Sequence, residues 1–434
     1  MQLPHLTPRS YLLAFAAAAV GVAGQWVPGV APAAWLLPAS ALLLVIAWEG
    51  RECRRHPVGV SLSLPGTLRL GQLVEAELRV DNPGYWPRTV DLAVPLPDGL
   101  DGDASRRRVR IAAHGRAHVG WRIRGTRLGE VSFSEGYLRA GGPFGLSRWT
   151  ARRPLGAGAR VRPDLLRDRP GGRGLGRDGE RPVPRVGSGG DLHGLREYWP
   201  GDPLRAIDWK ATARRQRPMV KLLDDRQSLE LMVLLDAGRG SAVEAGPLSR
   251  LHHFVNVAAR LAQAGGEAGD RVGCICYASG VTAEVPLAAG LDGVARVRRV
   301  LQQVRSAPEE SNPLIAALAA RHLLRHRGLV VFLTDLTDAE AALQMLQAVR
   351  VLGRKHLPLV GALVDLEARA LASDAAPGWL TPYRNLAGQE LLQAQQLLGE
   401  RLRRLGARVL IEPPDRLDGR MLAHFSALRR RRAV

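Results

Sequence analysis

Three aspartates follow buried apolar runs, and carboxylates at such positions could bind a cation. Asp236, Asp335 and Asp365 come at or just after the ends of the runs at residues 229–235, 329–333 and 359–364. In open α/β sheets, ligands bind beyond the carboxyl ends of the strands. Neighbouring carboxylates repel each other unless a cation such as Mg²⁺ or a basic side chain neutralises them. The alternative is that each aspartate caps the turn or helix that follows it.

A second dense group of polar residues lies at 194–214 (GLREYWPGDPLRAIDWKATAR), which we call the signature segment. Acidic and basic residues interleave closely along it, which favours an ion-pair network that holds the segment against the sheet domain. The alternative is a binding surface for an acidic partner. Asp202 followed by Pro203 predicts a helix N-cap with proline at the first helical position. The candidate residues of the segment are Arg196, Glu197, Tyr198, Gly201, Asp202, Arg205, Asp208, Trp209 and Arg214.

The elements that would position these residues follow from the hydrophobic pattern. Within residues 191–434, apolar runs alternate with helix-like segments, which predicts a doubly wound α/β domain with a parallel sheet covered on both faces. Residues 57–150 contain short stretches of period-two alternation, such as Val74–Val80, separated by Gly and Pro turns, which predict a small β-sandwich. The Gly/Pro/Arg-rich stretch at 151–190 predicts a linker or loop.

Residues 1–56 contain a long apolar stretch that is interrupted by QWVPGVAPAA at 25–34. Each half has roughly 17 apolar residues, near the minimum for crossing a hydrocarbon core of about 30 Å, so we predict a transmembrane helical hairpin. Arginines flank the pair and the turn has none, so both ends should face the cytoplasm. The predicted location is the bacterial inner (cytoplasmic) membrane, with the bulk of the chain on the cytoplasmic side. A cleaved signal peptide at Ala31–Ala33 is an alternative.

The composition limits the classes of partner that this protein could bind, but it does not indicate a reaction. The chain has 434 residues, a net charge of +20 and 5% aromatic residues. This charge favours polyanionic partners, but the arginines are dispersed and aromatic platforms are scarce, so no specific nucleic acid is expected. Binding of nucleic acid or anionic lipid through arginines, for example the Arg429–Arg432 run, stays an alternative. Three cysteines argue against a disulfide framework.

The sequence contains no recognisable catalytic constellation. HExxH, GxSxG and CxxC motifs are all missing, so we do not expect an enzyme. The enzyme alternative uses Asp236 as a phosphoryl-accepting nucleophile assisted by Mg²⁺, because an aspartate at a strand end suits that chemistry. Gly238 counts against this alternative, since the reaction favours a second acidic residue two positions after the nucleophile.

The signature segment, followed by a strand that ends in Asp236, resembles the bacterial proteins that carry domain of unknown function 58. Upstream, RGTRLGEVSFSEGYLRAGGPFGLSRW at 124–149 is similar to the β-rich region of this family, and the paired N-terminal apolar segments also fit. The resemblance covers most of the chain. It implies a membrane-anchored protein with a von Willebrand factor type A-like domain, commonly encoded beside MoxR-type AAA ATPases. The implied function is binding and assembly, as partner or adaptor of such an ATPase.

The resemblance also implies an ion site. Von Willebrand type A domains often hold a divalent cation through an Asp-x-Ser-x-Ser motif, a threonine and a second aspartate. Here the motif begins at Asp236 but has glycine at both serine positions, and Asn312 stands at the threonine position. The candidate ligands of this degenerate site are Asp236, Asp335, Asn312 and Ser241, with Mg²⁺ as the candidate ion. Arg239, in the same loop, could instead supply the positive charge.

Overall fold

The computed structural model describes residues 5–23, 26, 33, 35–103, 106–164, 192–223, 229–337, 339–375 and 378–430. The chain divides into two compact units, Met1–Arg162 and Pro163–Val434. Residues 165–190 of the predicted linker, and two of the three residues of the candidate cleavage site at Ala31–Ala33, lie outside the described residues.

The first unit consists of two helices and a set of mostly antiparallel strands. In chain order its elements are β1 (His5–Leu6), α1 (Pro8–Ala23), α2 (Leu36–Arg55), β2 (Gly59–Ser63), β3 (Thr67–Arg69), β4 (Leu73–Asp81), β5 (Arg88–Ala93), β6 (Leu100–Gly102), β7 (Arg107–Ile111), β8 (Arg116–Gly125), β9 (Gly129–Gly141) and β10 (Ser147–Arg162). One sheet has the order β1-β10-β9-β5-β7, with β3 beside β10, and the other has the order β2-β4-β8-β6.

The two sheets of this unit pack against each other through the apolar sides of their strands. Along β4, Ala76, Leu78 and Val80 are buried and the residues between them are exposed, which is the alternation seen in the sequence. Trp121 of β8 packs edge-on against Phe133 of β9, with ring centroids 5.8 Å apart. The first residues of the predicted linker differ from expectation, because β10 continues to Arg162.

The C-terminal half of α2 is fastened to the strands by two buried charged side chains. Glu49 is fully buried, and its carboxylate accepts hydrogen bonds from the backbone N–H groups of Phe144 and Ser147, both at 2.8 Å. Arg88 of β5 donates to the carbonyl oxygens of His56 (2.8 Å) and Glu52 (3.3 Å) at the end of the helix. A guanidinium there is favourable because the last carbonyls of a helix have no partner within the helix.

The predicted transmembrane hairpin is wrong. Among the residues that the structure describes, no helix is both long enough and apolar enough to cross a membrane. Helix α1 has 16 residues, which span about 24 Å, less than the hydrocarbon thickness of about 30 Å. Helix α2 has 20 residues, but five of its last seven are charged. The inner-membrane location predicted from this hairpin is contradicted by the same finding.

The second unit is a parallel sheet with helices on both faces, preceded by a short hairpin. In chain order its elements are β11 (Leu192–Glu197), α3 (Trp209–Arg215), β12 (Met219–Leu223), β13 (Glu230–Asp236), β14 (Glu244–Ala245), β15 (Leu248–Ser249), α4 (Arg250–Glu267), β16 (Arg271–Tyr277), β17 (Val281–Ala289), α5 (Gly290–Leu301), α6 (Pro313–Leu323), β18 (Leu329–Leu333), α7 (Ala339–Gly353), β19 (Leu357–Leu363), α8 (Leu366–Ala372), α9 (Thr381–Arg404), β20 (Arg408–Glu412) and α10 (Leu417–Arg430).

The main sheet of this unit has the order β17-β16-β13-β18-β19-β20, and only the edge strand β17 is antiparallel to its neighbour. Helix α4 contacts α5 and α10 on one face, and α6, α7 and α9 form the layer on the other. Every residue of β13 and β18 is buried, as is usual for central strands of a sheet covered on both sides. The C-terminal ends of β13, β18 and β19 therefore meet at one edge, which we call the rim.

The anchoring of α2 yields a test on Glu49. We expect Glu49→Ala to weaken the local stability of the first unit by about 3 kcal/mol, because buried backbone N–H groups would lose a charged acceptor. Hydrogen–deuterium exchange of the full-length protein should show faster exchange at residues 142–149. Glu75→Ala is the matched control, since Glu75 is exposed on β4. Equal exchange at 142–149 in the two variants would show that the Glu49 contacts do not hold the helix.

Candidate functional site

The structure places the three strand-end aspartates on the rim. Asp236 is the last residue of β13, Asp335 lies two residues after β18, and Asp365 lies two residues after β19. These strands are adjacent and parallel, with Leu235 paired to Leu333 and Leu333 paired to Gly361. Asp236 and Asp335 thus emerge at the same edge of the sheet, where the sequence placed them.

Asp236 is enclosed by hydrogen-bond donors from three loops. Its side chain is 3% exposed. Oδ1 accepts from the backbone N–H of Gly238 (2.9 Å) and from the hydroxyl of Ser311, and Oδ2 accepts from the Thr334 hydroxyl (2.5 Å). Burial raises the pKa of this carboxyl and the nearby Asp335 charge adds to the rise, although the three donors oppose it. The carboxylate therefore has a structural role in joining the loops.

Arg250 neutralises the other two aspartates of the rim. Its side chain is 5% exposed and belongs to the first residue of α4. One guanidinium nitrogen, Nη1, donates to Asp335 Oδ2, and the other, Nη2, donates to Asp365 Oδ2 at 2.9 Å. The planar fork of arginine suits such a pair of carboxylates. The sequence allowed two ways of neutralising these carboxylates, a cation such as Mg²⁺ or a basic side chain. In the structure the basic side chain of Arg250 lies beside both of them.

The remaining oxygens of Asp335 and Asp365 are also engaged. Asp335 accepts from the backbone N–H (3.1 Å) and the hydroxyl (2.7 Å) of Thr337. Asp365 caps α8 by accepting from the N–H of Ala368 at 2.9 Å. Asp365 therefore combines the capping role that the sequence allowed with an ion pair to Arg250.

The candidate ion ligands do not fit a divalent cation. Asn312 caps α6 by accepting from the Ile315 N–H (3.3 Å), and Ser241 donates its hydroxyl to the Gly238 carbonyl (2.7 Å). Among the described residues, no group of three or more His, Cys, Asp or Glu side chains could hold a metal. The buried guanidinium of Arg250 would also repel an ion beside Asp335. Binding of Mg²⁺ stays a prediction, and these contacts argue against it.

The glycine at the first serine position is explained by its neighbour. A Cβ atom at Gly238 would collide with the Oγ of Ser311, the hydroxyl that bonds to Asp236. Ser311 thus delivers from another loop the hydroxyl that residue 238 lacks. At Gly240, a Cβ would lie 3.3 Å from Asp335 Oδ2, which is a tight contact. Arg239 does not supply the missing charge, because its side chain pairs outside the loop with Glu310 at 2.7 Å.

The signature segment forms a compact loop against β12. The Tyr198 N–H donates to the Pro218 carbonyl, and the Asp208 N–H donates to the Met219 carbonyl, both at 2.8 Å. Because Pro218 and Met219 are consecutive, these bonds bring the two ends of the loop together. Met219 and Val220 are buried beneath it.

The acidic residues of the segment hold its turns. Asp202 pairs with Arg196 at 2.6 Å and accepts from the Trp199 N–H at 3.0 Å, and these two bonds lower the pKa of its carboxyl. Asp202 is not a helix N-cap as predicted, because only a 3-10 turn at Leu204–Ala206 follows it. Asp208 is the N-cap, since it accepts from the N–H groups of Lys210 and Ala211, both at 3.1 Å.

The other candidate residues of the segment are placed as follows. Glu197 pairs with Arg217 at 2.9 Å. Gly201 has φ +108°, a backbone conformation that favours glycine, within the turn before Asp202. Arg205, Trp209 and Arg214 are exposed. The acids of the segment thus form three separate ion pairs, and among the described contacts none of these pairs reaches the main sheet and these three side chains take no part in them.

Residues 194–376 match the model of a family described as "Protein of unknown function DUF58". We call this stretch the DUF58 region. The resemblance drawn from the sequence is thereby confirmed for this DUF58 region, which contains the signature segment and all three rim aspartates. The family description assigns no activity.

Similar proteins add no function to the DUF58 region. Uncharacterized proteins of Mycobacterium bovis and Mycobacterium tuberculosis are 23% identical over 181 residues, which are 41% of this chain and 56% of the relatives. The chain thus spans about half the length of these curated relatives. A conserved hypothetical protein BatB from Bacteroides thetaiotaomicron is 13% identical over 41% of this chain and 98% of its own, with a TM-score of 0.26. Native alpha-2-macroglobulin from Escherichia coli covers 25% of this chain and 17% of its own at 18% identity, with a TM-score of 0.19. Neither likeness carries an argument about the fold.

Several residues that contact the rim aspartates could not be identified from the sequence. Ser311, Thr334 and Arg250 are separated from their partners by 75 to 115 residues, so spacing could not link them. A signal did exist for Arg250. A basic residue in the first turn of a helix opposes the helix dipole, so its presence there indicates a compensating acidic partner.

The role of Arg250 can be tested by removing its charge. We expect Arg250→Met to weaken the second unit by about 3 to 5 kcal/mol, because two poorly exposed carboxylates would lose their counter-charge. Faster hydrogen exchange at β13 and β18 in the full-length protein would report this loss. Mg²⁺ should restore protection in the variant and leave the wild type unchanged. Arg239→Met is the control and should cost less than about 1 kcal/mol, since its ion pair is exposed. A gain of protection by the wild type in Mg²⁺ would contradict the assignment.

The raised pKa of Asp236 predicts a pH dependence. Between about pH 4 and the folded-state pKa, the folded protein binds more protons at this carboxyl than the unfolded chain does, so its contribution to stability falls as pH rises. Asp236→Asn cannot titrate. We therefore expect the stability of this variant, relative to wild type, to increase from pH 4 to pH 7. Urea unfolding midpoints of the second unit, assigned by hydrogen exchange, measure this difference. A difference that stays constant over the range would refute the raised pKa.

Proposed function

We propose that this protein is a non-enzymatic adaptor that binds another protein through its DUF58 region. The partner class, a MoxR-type AAA ATPase working in assembly or chaperone-like tasks, comes from the family resemblance. What supports binding is the exposure of large apolar side chains on a loop whose ends are joined by backbone hydrogen bonds. Partner recognition by such a loop loses little conformational entropy, which favours affinity.

The observation that carries this proposal lies in the signature segment. Trp199, Leu204 and Trp209 are 70%, 69% and 70% exposed. Side chains of this size are the ones that dominate the binding energy of protein interfaces, and tryptophan is especially enriched among them. The bonds from Tyr198 and Asp208 to consecutive residues bring the chain on either side of this loop together, so Trp199 and Trp209 lie at neighbouring positions of the backbone.

The enzyme alternative finds less support at the rim. A phosphoryl-accepting aspartate must be reachable by the donor and must have a free oxygen for attack. Asp236 is 3% exposed, and both of its oxygens accept hydrogen bonds within the protein. Arg250 is held by two carboxylates, so it is not free to bind a phosphate. These contacts favour a structural role for the rim and leave the exposed signature segment as the functional surface.

The adaptor proposal predicts loss of binding when the two tryptophans are removed. We expect the double variant Trp199→Ala/Trp209→Ala to bind a purified MoxR-type ATPase of the same organism at least about 30-fold more weakly than wild type, since the loss of even one anchor worth about 2 kcal/mol gives that factor. Titration of the full-length protein, monitored by calorimetry, measures the affinities. Trp379→Ala is the matched control, because Trp379 is 80% exposed in the same unit but outside the segment. Failure of the wild type to bind the ATPase would remove this partner from the proposal.

A further inference from the structure

We propose that the signature segment docks an acidic, apolar-bearing segment of a partner protein, with Trp199, Leu204 and Trp209 as apolar anchors and four cations around them as the charged contacts. This inference rests on the proposed adaptor function and names the chemistry of the partner. It follows from a difference between the charged residues of this part of the chain: the acidic residues are paired within the protein, whereas four basic residues are exposed.

All three acidic residues of the segment are paired within it or with the residues that follow it up to β12. Glu197 pairs with Arg217, and Asp202 pairs with Arg196. Asp208 caps α3 and also lies 3.7 Å from Lys221. The acids therefore hold the loop together and present no free negative charge to a partner.

Four basic residues, three in the same segment and Arg215 directly after it, have no such role. Arg205, Lys210, Arg214 and Arg215 are exposed, and within the described ranges none of them lies in an ion pair. Lys210, Arg214 and Arg215 belong to α3, the helix that begins with the exposed Trp209. The face around the apolar anchors is thus strongly positive, and its complement is a negatively charged surface.

The apolar anchors distinguish between two classes of negatively charged partner, nucleic acids and acidic protein segments. A nucleic acid would use flat stacking and phosphate contacts, and it has no aliphatic side chains to pack against a leucine. Leu204 is almost as exposed as the tryptophans, and an aliphatic side chain gains binding energy when its surface is buried against apolar side chains of a partner. A protein segment that carries both carboxylates and apolar side chains meets both demands.

The partner chemistry can be tested with defined polymers and the full-length protein. A copolymer of glutamate and tyrosine should bind at least ten-fold more tightly than polyglutamate, a lysine–tyrosine copolymer or oligothymidylate. Its affinity should fall as salt rises, because exposed charge pairs are screened. Surface-immobilised polymers and biolayer interferometry measure these affinities. Equal or tighter binding of oligothymidylate would overturn the proposal in favour of nucleic acid.

Matched variants test whether copolymer binding depends on this surface or on positive charge elsewhere in the chain. We expect Arg205→Glu/Arg214→Glu to reduce binding of the glutamate–tyrosine copolymer at least ten-fold and to weaken its salt dependence. Arg350→Glu/Arg354→Glu makes the same charge change at exposed positions of the same unit and should leave binding within two-fold. Unfolding midpoints of all variants confirm that they are folded. Equal effects of the two charge reversals would refute a specific surface.

The two proposals can fail separately. Copolymer binding that depends on Arg205 and Arg214, without binding to the ATPase, would retain the acidic-partner surface and reject the ATPase. Binding to the ATPase that is unchanged in Arg205→Glu/Arg214→Glu would retain the adaptor function and reject this surface.

Discussion

The Arg250 guanidinium is the charge on which the top of the parallel sheet depends. It lies between Asp335 and Asp365, at the ends of neighbouring strands, and is itself nearly buried. Without it, two carboxylates in a poorly solvated position would repel each other and Asp236. Through Asp365 the same guanidinium also holds the start of α8. The rim is therefore a set of internal contacts, and the proposed binding surface lies in another part of the DUF58 region.

Much of this arrangement could be predicted for the second unit. Continuous apolar runs indicated buried strands, and the parallel order of those strands brings Asp236, Asp335 and Asp365 to one edge. The need for a neutralising charge followed from the repulsion of carboxylates. Its source could not be predicted, because Arg250 is 85 and 115 residues away from its partners. Arg239 was the nearer candidate along the chain, but its side chain reaches Glu310 instead.

Other parts of the chain were harder to predict, because the same sequence pattern is compatible with two structures. A long apolar stretch is typical of a membrane span, but it does not show where the helices within it begin and end. The buried Glu49 that fastens α2 pairs with backbone groups almost a hundred residues away, so spacing could not reveal this contact either. The signature segment posed a similar ambiguity between an ion-pair network and an acidic-partner surface. Its acids form separate ion pairs, whereas Arg205 and Arg214 are exposed. Alternation of charge along a sequence does not reveal which charges are already paired.

Asp236 accepts a hydrogen bond from the hydroxyl of Ser311 and not from a side chain at 238, and this has an evolutionary consequence. A serine at either position could bring a hydroxyl to Asp236, but there is space for only one of the two side chains, because a Cβ atom at 238 would overlap Ser311 Oγ. Substitutions at the two positions should then covary in related chains. A relative with serine at the equivalent of 238 should carry glycine or alanine at the equivalent of 311, and a mutational path between the two forms must pass through a sequence that lacks the hydroxyl or crowds the loop.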